Sequence, residues 1–335
     1  MKLSDFAYQV PQDRIAQYPL TDRTAAKLLV LDRTRQRLEH RSFRDIVRYL
    51  GPGDVLVFND TKVIPARILA KKRTGGSIEL LLVKERELNL WDCLVRPARR
   101  LKHGVRVQLA NGVEAEIETR QTDYYGVRFL TGKNILSWLD EIGTMPLPPY
   151  IKRPAEELDC EYYQTVYAER AGSIAAPTAG LHFTASLIKD IEARGVAVAK
   201  ITLSIGPGTF LPIRSEDIGR HRMAAEYYEI SAPAQDLIEN AKRVVAVGTS
   251  SVRTLETASE HRSIVRPHGW SELFIYPGHQ FNLVDALVTN FHLPKATPLL
   301  LTAALAGKEF LFRAYQEAIR SDYRFFSYGD AMLII

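Results

Sequence analysis

Three histidines in this sequence stand beside groups that suit proton transfer. His182 lies in residues 175–184, AAPTAGLHFT, a stretch with a proline, a glycine and two threonines that is too polar and too irregular to be core. Loops of this kind on a rigid scaffold are where binding and catalytic groups concentrate. His221 and Glu226, in HRMAAE, have the types of a general acid–base pair, and Asn290 and His292, in TNFHLPK, follow an apolar run. A lone histidine is more often structural than catalytic. Three of them, each after a strand or in a Gly/Pro loop, argue for chemistry.

Other polar groups suit binding. GTSSVR, residues 248–253, follows the apolar run VVAV and precedes a helical stretch, the setting for an anion at a helix N-terminus or for a simple Ser/Thr cap. It has no Walker lysine, which excludes a P-loop, and IGPGTF at 205–210 is not a dinucleotide fingerprint because Leu211 stands where the third glycine belongs. Arg253 and Arg324 offer cationic anchors, and YRFFSYGDAM at 323–332 gathers Arg324, Tyr328 and Asp330 around Gly329. Asn59 and Asp60 end the apolar run DVLVF, at the C-terminal strand edge where open α/β sheets keep ligands, although such residues also make turns with their own backbone. Cys93 and Cys160 form no CxxC pair, so neither a disulfide framework nor a cysteine zinc site is indicated, and no metal is expected.

A chain of 335 residues, 46% hydrophobic and 25% charged, is expected to form two soluble domains in a reducing cytoplasm. Its start lacks a secretory pattern and no apolar segment approaches the ~18 residues of a membrane span. The net charge of +5 is localised: residues 61–149 hold 15 Lys and Arg against 10 Asp and Glu, leaving 29 of each elsewhere. A local basic surplus favours a polyanion through counterion release. Its densest part is Arg96, Arg99, Arg100, Lys102 and Arg106, read as phosphate contacts or as a solvated hairpin.

These groups need a scaffold. Residues 28–31 and 54–58 read as buried strands with helical spacing over 43–50 between them. From 64 to 130 the pattern becomes period-two alternation in short strands at 78–83, 91–95, 105–109, 113–119 and 126–129, with Asn111-Gly112 as a two-residue hairpin signal. After a helix at 134–142 and the stiff connector MPLPPY, alternation of strand and helix resumes, with helices at 185–194 and 233–242 and strands at 196–203 and 244–247. The expected architecture is an α/β main domain of residues 1–60 and 150–335, with a mixed or barrel-like sheet and surrounding helices, interrupted by an antiparallel β-barrel of residues 61–149.

Eight strings in order, FNDTKVIPAR, PLPPYIKR, YYQTVYA, AAPTAGLHFT, TLSIGPGTF, GTSSVRTLE, TNFHLPK and RFFSYGDAM, resemble the S-adenosylmethionine:tRNA ribosyltransferase-isomerase family of queuosine biosynthesis, over essentially the full length. The chain departs from that pattern at Ser204 and Ala224, where the family carries histidine, at Ser250 for threonine and at Ala296 for serine.

The resemblance implies transfer and isomerisation of the ribosyl group of S-adenosylmethionine onto 7-aminomethyl-7-deazaguanine at the tRNA wobble position. The products would be epoxyqueuosine-tRNA, adenine and methionine, with no permanently bound cofactor and no metal. On that footing His182, His292 and His221 with Glu226 are candidates for acid or base work. Arg253 and Arg324 would anchor the methionine carboxylate or a phosphate. Asn59, Asp60 and Asp330 would hold ribose hydroxyls, Thr178 and Gly180 would shape the loop at the sulfonium, and Asn290 and Tyr328 complete the substrate site. A monomer acting on tRNA is expected. A tRNA-binding module without catalysis, and a conventional S-adenosylmethionine-dependent RNA methyltransferase, are the competing readings; the latter lacks a glycine-rich loop after the first strand.

Overall fold

A computed structural model describes the chain from residue 1 to 335 apart from 99–100, 122–123, 207, 209–212 and 214. Two sheets dominate it. A nine-stranded mixed sheet runs in the order His268–Ser271, Glu226–Ile230, Ala197–Leu203, Asp54–Asn59, Arg243–Val247, Ala286–Asn290, Ala331–Ile334, Lys27–Asp32 and Arg37–Ser42. Its centre, from Ala197–Leu203 to Ala286–Asn290, is parallel; pairing turns antiparallel at Glu226–Ile230 on one side and at Ala331–Ile334 on the other.

The central strands read as continuous apolar runs because both faces are covered. Val55 and Val57 point into one core with Leu255, Leu299 and Tyr315, while Leu56 and Phe58 point into the other with Phe43, Phe183 and Ile191. Strand alternation thus divides DVLVF between two packed layers. Helix Thr297–Ala306 is apolar all round and is buried on nearly every side. Helix Lys308–Arg320 buries only Phe310, Leu311, Ala314, Tyr315 and Ala318, a single stripe at three- and four-residue spacing.

The second sheet is a closed antiparallel barrel of six strands, Arg67–Lys72, Ser77–Glu87, Leu90–Arg96, Tyr124–Leu130, Glu114–Gln121 and Val105–Leu109, shut by pairing of the first with the last. Ile68, Leu80, Cys93, Val107, Ile117 and Val127 fill it. Each expected strand is present, and Arg67–Lys72 is added to them.

Two local expectations are corrected. The hairpin after Leu109 has a three-residue loop, since Leu109 N–H donates to Val113 at 2.8 Å, and Gly112 alone in that loop takes a positive φ, 84°. That is a type I turn closed by a bulge, a geometry that leaves Asn111 unstrained. Residues Phe43–Tyr49 form a 3₁₀ helix, tighter than the α-helix their spacing suggests.

Candidate active site

An open cleft lies where the parallel strands end at their carboxyl edges. Counting its mouth, it holds about 1040 Å³ of atom-free space. Four segments meet there: Ala175–Ala179, Gly248–Ser250 with Arg253, Thr289–Leu293, and Phe326 with Ser327. Ile205, Met223, Glu226 and Leu273–Ile275 form further wall, with Tyr150 and Tyr163.

Local chemistry explains why the loops take these shapes. Residues Thr178–His182 form a 3₁₀ turn, and Thr184 then caps helix Ala185–Glu192 by accepting the Leu187 N–H at 3.2 Å. Gly180 is required by packing: a Cβ there would stand 1.9 Å from Tyr167 Oη. Gly248, at φ 87°, turns strand Arg243–Val247 into helix Thr249–Ala258, the strand–turn–helix expected of GTSSVR.

Asn290, buried at the end of its strand, joins two loops. Its Oδ1 accepts from Thr178 Oγ1 at 2.8 Å, and its Nδ2 donates to His182 Nε2 at 3.1 Å and to the Asp330 carbonyl at 3.4 Å. His182 therefore stands behind Asn290 and lines a smaller pocket, with its ring 4.9 Å from that of Phe43. Burial, then Arg324 and Arg23, push its pKa down to about 3, so it is neutral and accepts from Asn290. His292 lines the main cleft. Its main chain is clamped by two tyrosines: its N–H donates to Tyr315 Oη at 2.9 Å and its carbonyl accepts from Tyr8 Oη. Burial takes its pKa down to about 3, and Nε2 lies 2.8 Å from Thr289 Oγ1.

Several other sequence candidates are engaged within the protein. Glu226 bonds Arg253 and the Gly206 N–H (2.8 Å), not His221; His221 packs edge-on against Phe274, with a pKa lowered by burial, outside the cleft wall. Arg253 also donates to the carbonyls of Leu273 and Ser271, each at 3.2 Å, so its guanidinium is held by the protein although it borders the cleft. Asn59 bridges Leu203 and Ser250 one layer behind the cleft, and Asp60 accepts from Thr202 Oγ1 at 2.7 Å, its pKa raised by burial.

Near the C-terminus, Asp330 accepts the main-chain N–H of Lys27 (2.9 Å) and of Arg324 (2.7 Å), with burial raising its pKa. Tyr328 donates to Asp159, which also takes a bidentate pair from Arg153. In the barrel, Arg96 and Lys102 are exposed and Arg106 is paired with Glu114 and Glu116; Arg99 and Arg100 lie outside the described residues. Among the described residues no cluster could hold a metal ion, and no helix is long and apolar enough to cross a membrane.

Residues that sequence reasoning does not single out include Tyr163, Met223, Leu273–Ile275 and Ser327. Tyr163 and Ser327 do lie inside the quoted strings YYQTVYA and RFFSYGDAM, and those strings are the signal that could have found them. Leu273–Ile275 is an irregular segment with no motif character, and nothing in its residue types marks it.

A family model described as queuosine biosynthesis protein matches residues 3–334. The S-adenosylmethionine:tRNA ribosyltransferase-isomerase of Pelotomaculum thermopropionicum is 50% identical over 343 residues, and that of Desulforamulus reducens 48% over 343, each match covering 100% of both chains. The crystal structure of S-adenosylmethionine tRNA ribosyltransferase from Thermotoga maritima aligns with a TM-score of 0.57 at 39% identity, covering 99% of this chain and 100% of that one. On a match that spans the barrel and the sheet with its cleft alike, this chain belongs to the queuosine biosynthesis protein family.

Proposed function

We propose that this protein is an S-adenosylmethionine:tRNA ribosyltransferase-isomerase. It moves the ribosyl group of S-adenosylmethionine onto the aminomethyl group of 7-aminomethyl-7-deazaguanine at the tRNA wobble position, giving epoxyqueuosine-tRNA, adenine and methionine. The observation that carries this reading is the meeting of parts of four family strings, AAPTA, GTS, TNFHL and FS, at one cleft on the carboxyl edge of the parallel strands.

The cleft has the mixed lining a nucleoside needs: Ile205, Phe274 and Leu293 offer apolar surface, and Thr178, Ser250, Asn290 and Ser327 offer hydrogen bonds. The sulfonium acidifies the adjacent C5′ hydrogens, so the first step needs a positioned proton acceptor. Adenine departs more readily when a donor reaches its ring nitrogen, and the attacking amine must be neutral. His292 is assigned to this wall as a neutral imidazole that hydrogen-bonds and passes a proton on, since a conjugate acid with a pKa of about 3 does not keep one at neutral pH. His182 is assigned to holding Asn290, and through it Thr178, in place.

The barrel, taken as a unit of residues 61–149 inserted into the main domain, is assigned to tRNA backbone contact through Arg96, Lys102 and the neighbouring basic residues. The enzyme acts as a cytoplasmic monomer. Incubation with precursor tRNA and S-adenosylmethionine tests the reading. Free adenine together with the mass gain of epoxyqueuosine on the tRNA is the expected result. Methyl transfer, or tRNA retention without adenine release, overturns it.

A further inference from the structure

Beside the main cleft lies a smaller pocket, bounded by Leu181 and His182 of the 3₁₀ turn, Arg23, Tyr162, and Arg324 with Ser327 to Gly329. Ser327 belongs to both walls, and Asn290 of the cleft bonds His182 of the pocket, so the two spaces adjoin at these residues. Its lining is unbalanced: two guanidinium groups, with no aspartate or glutamate among the wall residues.

Neither cation is fully compensated: among the described residues Arg23 forms no ion pair, and Arg324 has one long contact, to Asp330. Arg23 donates Nη1 to the carbonyls of Gln164 (2.9 Å) and Leu181 (3.1 Å) and Nη2 to that of Glu161 (2.9 Å), and it lies over the Tyr162 ring at 5.2 Å. Those partners are neutral; the Glu161 carboxylate acts on it only at longer range. Arg324 gives Nη1 to the Tyr18 carbonyl at 3.2 Å, and its Nε stands 4.0 Å from Asp330, whose oxygens are taken up by two main-chain N–H groups. Among the described residues its Nη2 has no hydrogen-bond partner, and the side chain is 30% exposed. Burial lowers the pKa of both arginines, against the opposing effect of Glu161 on Arg23 and of Asp330 on Arg324. Arg253, the other cation at the cleft, is neutralised by Glu226 and is not available for this task.

We infer that this pocket is an oxyanion subsite in which Arg324 Nη2 and the Arg23 guanidinium receive one carboxylate- or phosphate-sized group of a substrate lying in the main cleft. The inference rests on the proposed function for the identity of those substrates. They present two sources: the methionyl carboxylate of S-adenosylmethionine and a tRNA backbone phosphate. An arginine fork suits either geometry.

The test compares the parent protein with Arg324→Gln and Arg324→Lys, with thermal midpoints checked so that a folding defect is seen; Arg23, with three structural carbonyl partners, is left intact. S-adenosylmethionine and its decarboxylated analogue are titrated in the absence of tRNA. If the carboxylate is the ligand, the parent prefers the intact molecule by tenfold or more and Arg324→Gln abolishes the preference. If a phosphate is the ligand, small-molecule binding is unchanged, but precursor tRNA binds Arg324→Gln more weakly and the slope of log affinity against log salt falls by about one. Arg324→Lys restores part of either effect. A folded Arg324→Gln that binds S-adenosylmethionine and tRNA within twofold of the parent, at the same salt slope, overturns the subsite. Adenine release by the parent is scored separately, so loss of the subsite and loss of the proposed function are distinguished.

Discussion

Arg253 and Glu226 form a buried ion pair beneath the cleft, and the second carboxylate oxygen holds the main-chain N–H of Gly206. The pair ties helix Thr249–Ala258 to strand Glu226–Ile230 and to the loop that follows Leu203. Removing one partner leaves the other buried and unpaired, which costs about 3–5 kcal/mol. Arg253→Met and Glu226→Gln should each lower the denaturation midpoint strongly, and the double variant should lose less than the sum. Single variants within about 1 kcal/mol of the parent would show that the pair does not hold these elements together.

Acid should weaken the fold through His182 and His292. Each has a folded pKa of about 3, below the ordinary 6.5, so between those values the unfolded chain binds a proton that the folded chain refuses. Their contribution is complete above pH 6.5 and falls as pH drops towards 3, by about 1.4 kcal/mol per pH unit for each histidine. Asp60 and Asp330, whose pKa values are raised, work in the opposite direction. Stability measured from pH 7 to 4 should therefore decline less steeply in His292→Asn than in the parent. Parallel curves would count against a neutral, buried His292.

Gly180→Ala should be poorly tolerated although the change is one methyl group. The new Cβ would meet Tyr167 Oη at 1.9 Å and Thr165 Cγ2 at 2.9 Å, and overpacking of this kind costs about 1–3 kcal/mol. Tyr167→Phe in the same chain should recover part of the loss. If thermal melting of Gly180→Ala matches the parent, the turn has more room than its surroundings indicate.

Charge reversal at Lys102 should weaken tRNA binding and flatten its salt dependence by about 0.9 for each phosphate that the protein no longer neutralises. Arg106 is partly neutralised by Glu114 and Glu116, so Arg106→Glu should change the slope less. Equal slopes for parent and Lys102→Glu would move the RNA surface off this part of the barrel.

Period-two and apolar patterns expose the barrel strands and the central strands of the sheet, because each such strand carries its own burial signature. Glu226–Ile230 and His268–Ser271 carry none that is clear. They are short strands at one edge of the sheet, and Tyr227 and Trp270 stay exposed on them. The strings that line the cleft are legible in the sequence; the partners of individual groups are not. Nothing in HRMAAE says that Glu226 turns to Arg253, which lies 27 residues further along the chain. His182 is the histidine most favoured by its loop, yet it faces the smaller pocket, since the 3₁₀ turn directs it behind Asn290.

Strand Ala331–Ile334 lies between Ala286–Asn290 and Lys27–Asp32, and among the described residues the hairpin of Lys27–Asp32 with Arg37–Ser42 pairs with the sheet only through it. The first two strands of this sheet in chain order are therefore tied to the rest by the last one. Until residues 331–334 pair, the hairpin has no neighbour on its inner edge, and this side of the sheet is closed by a contact some 300 residues apart in sequence, a long-range pairing of the slow-forming kind.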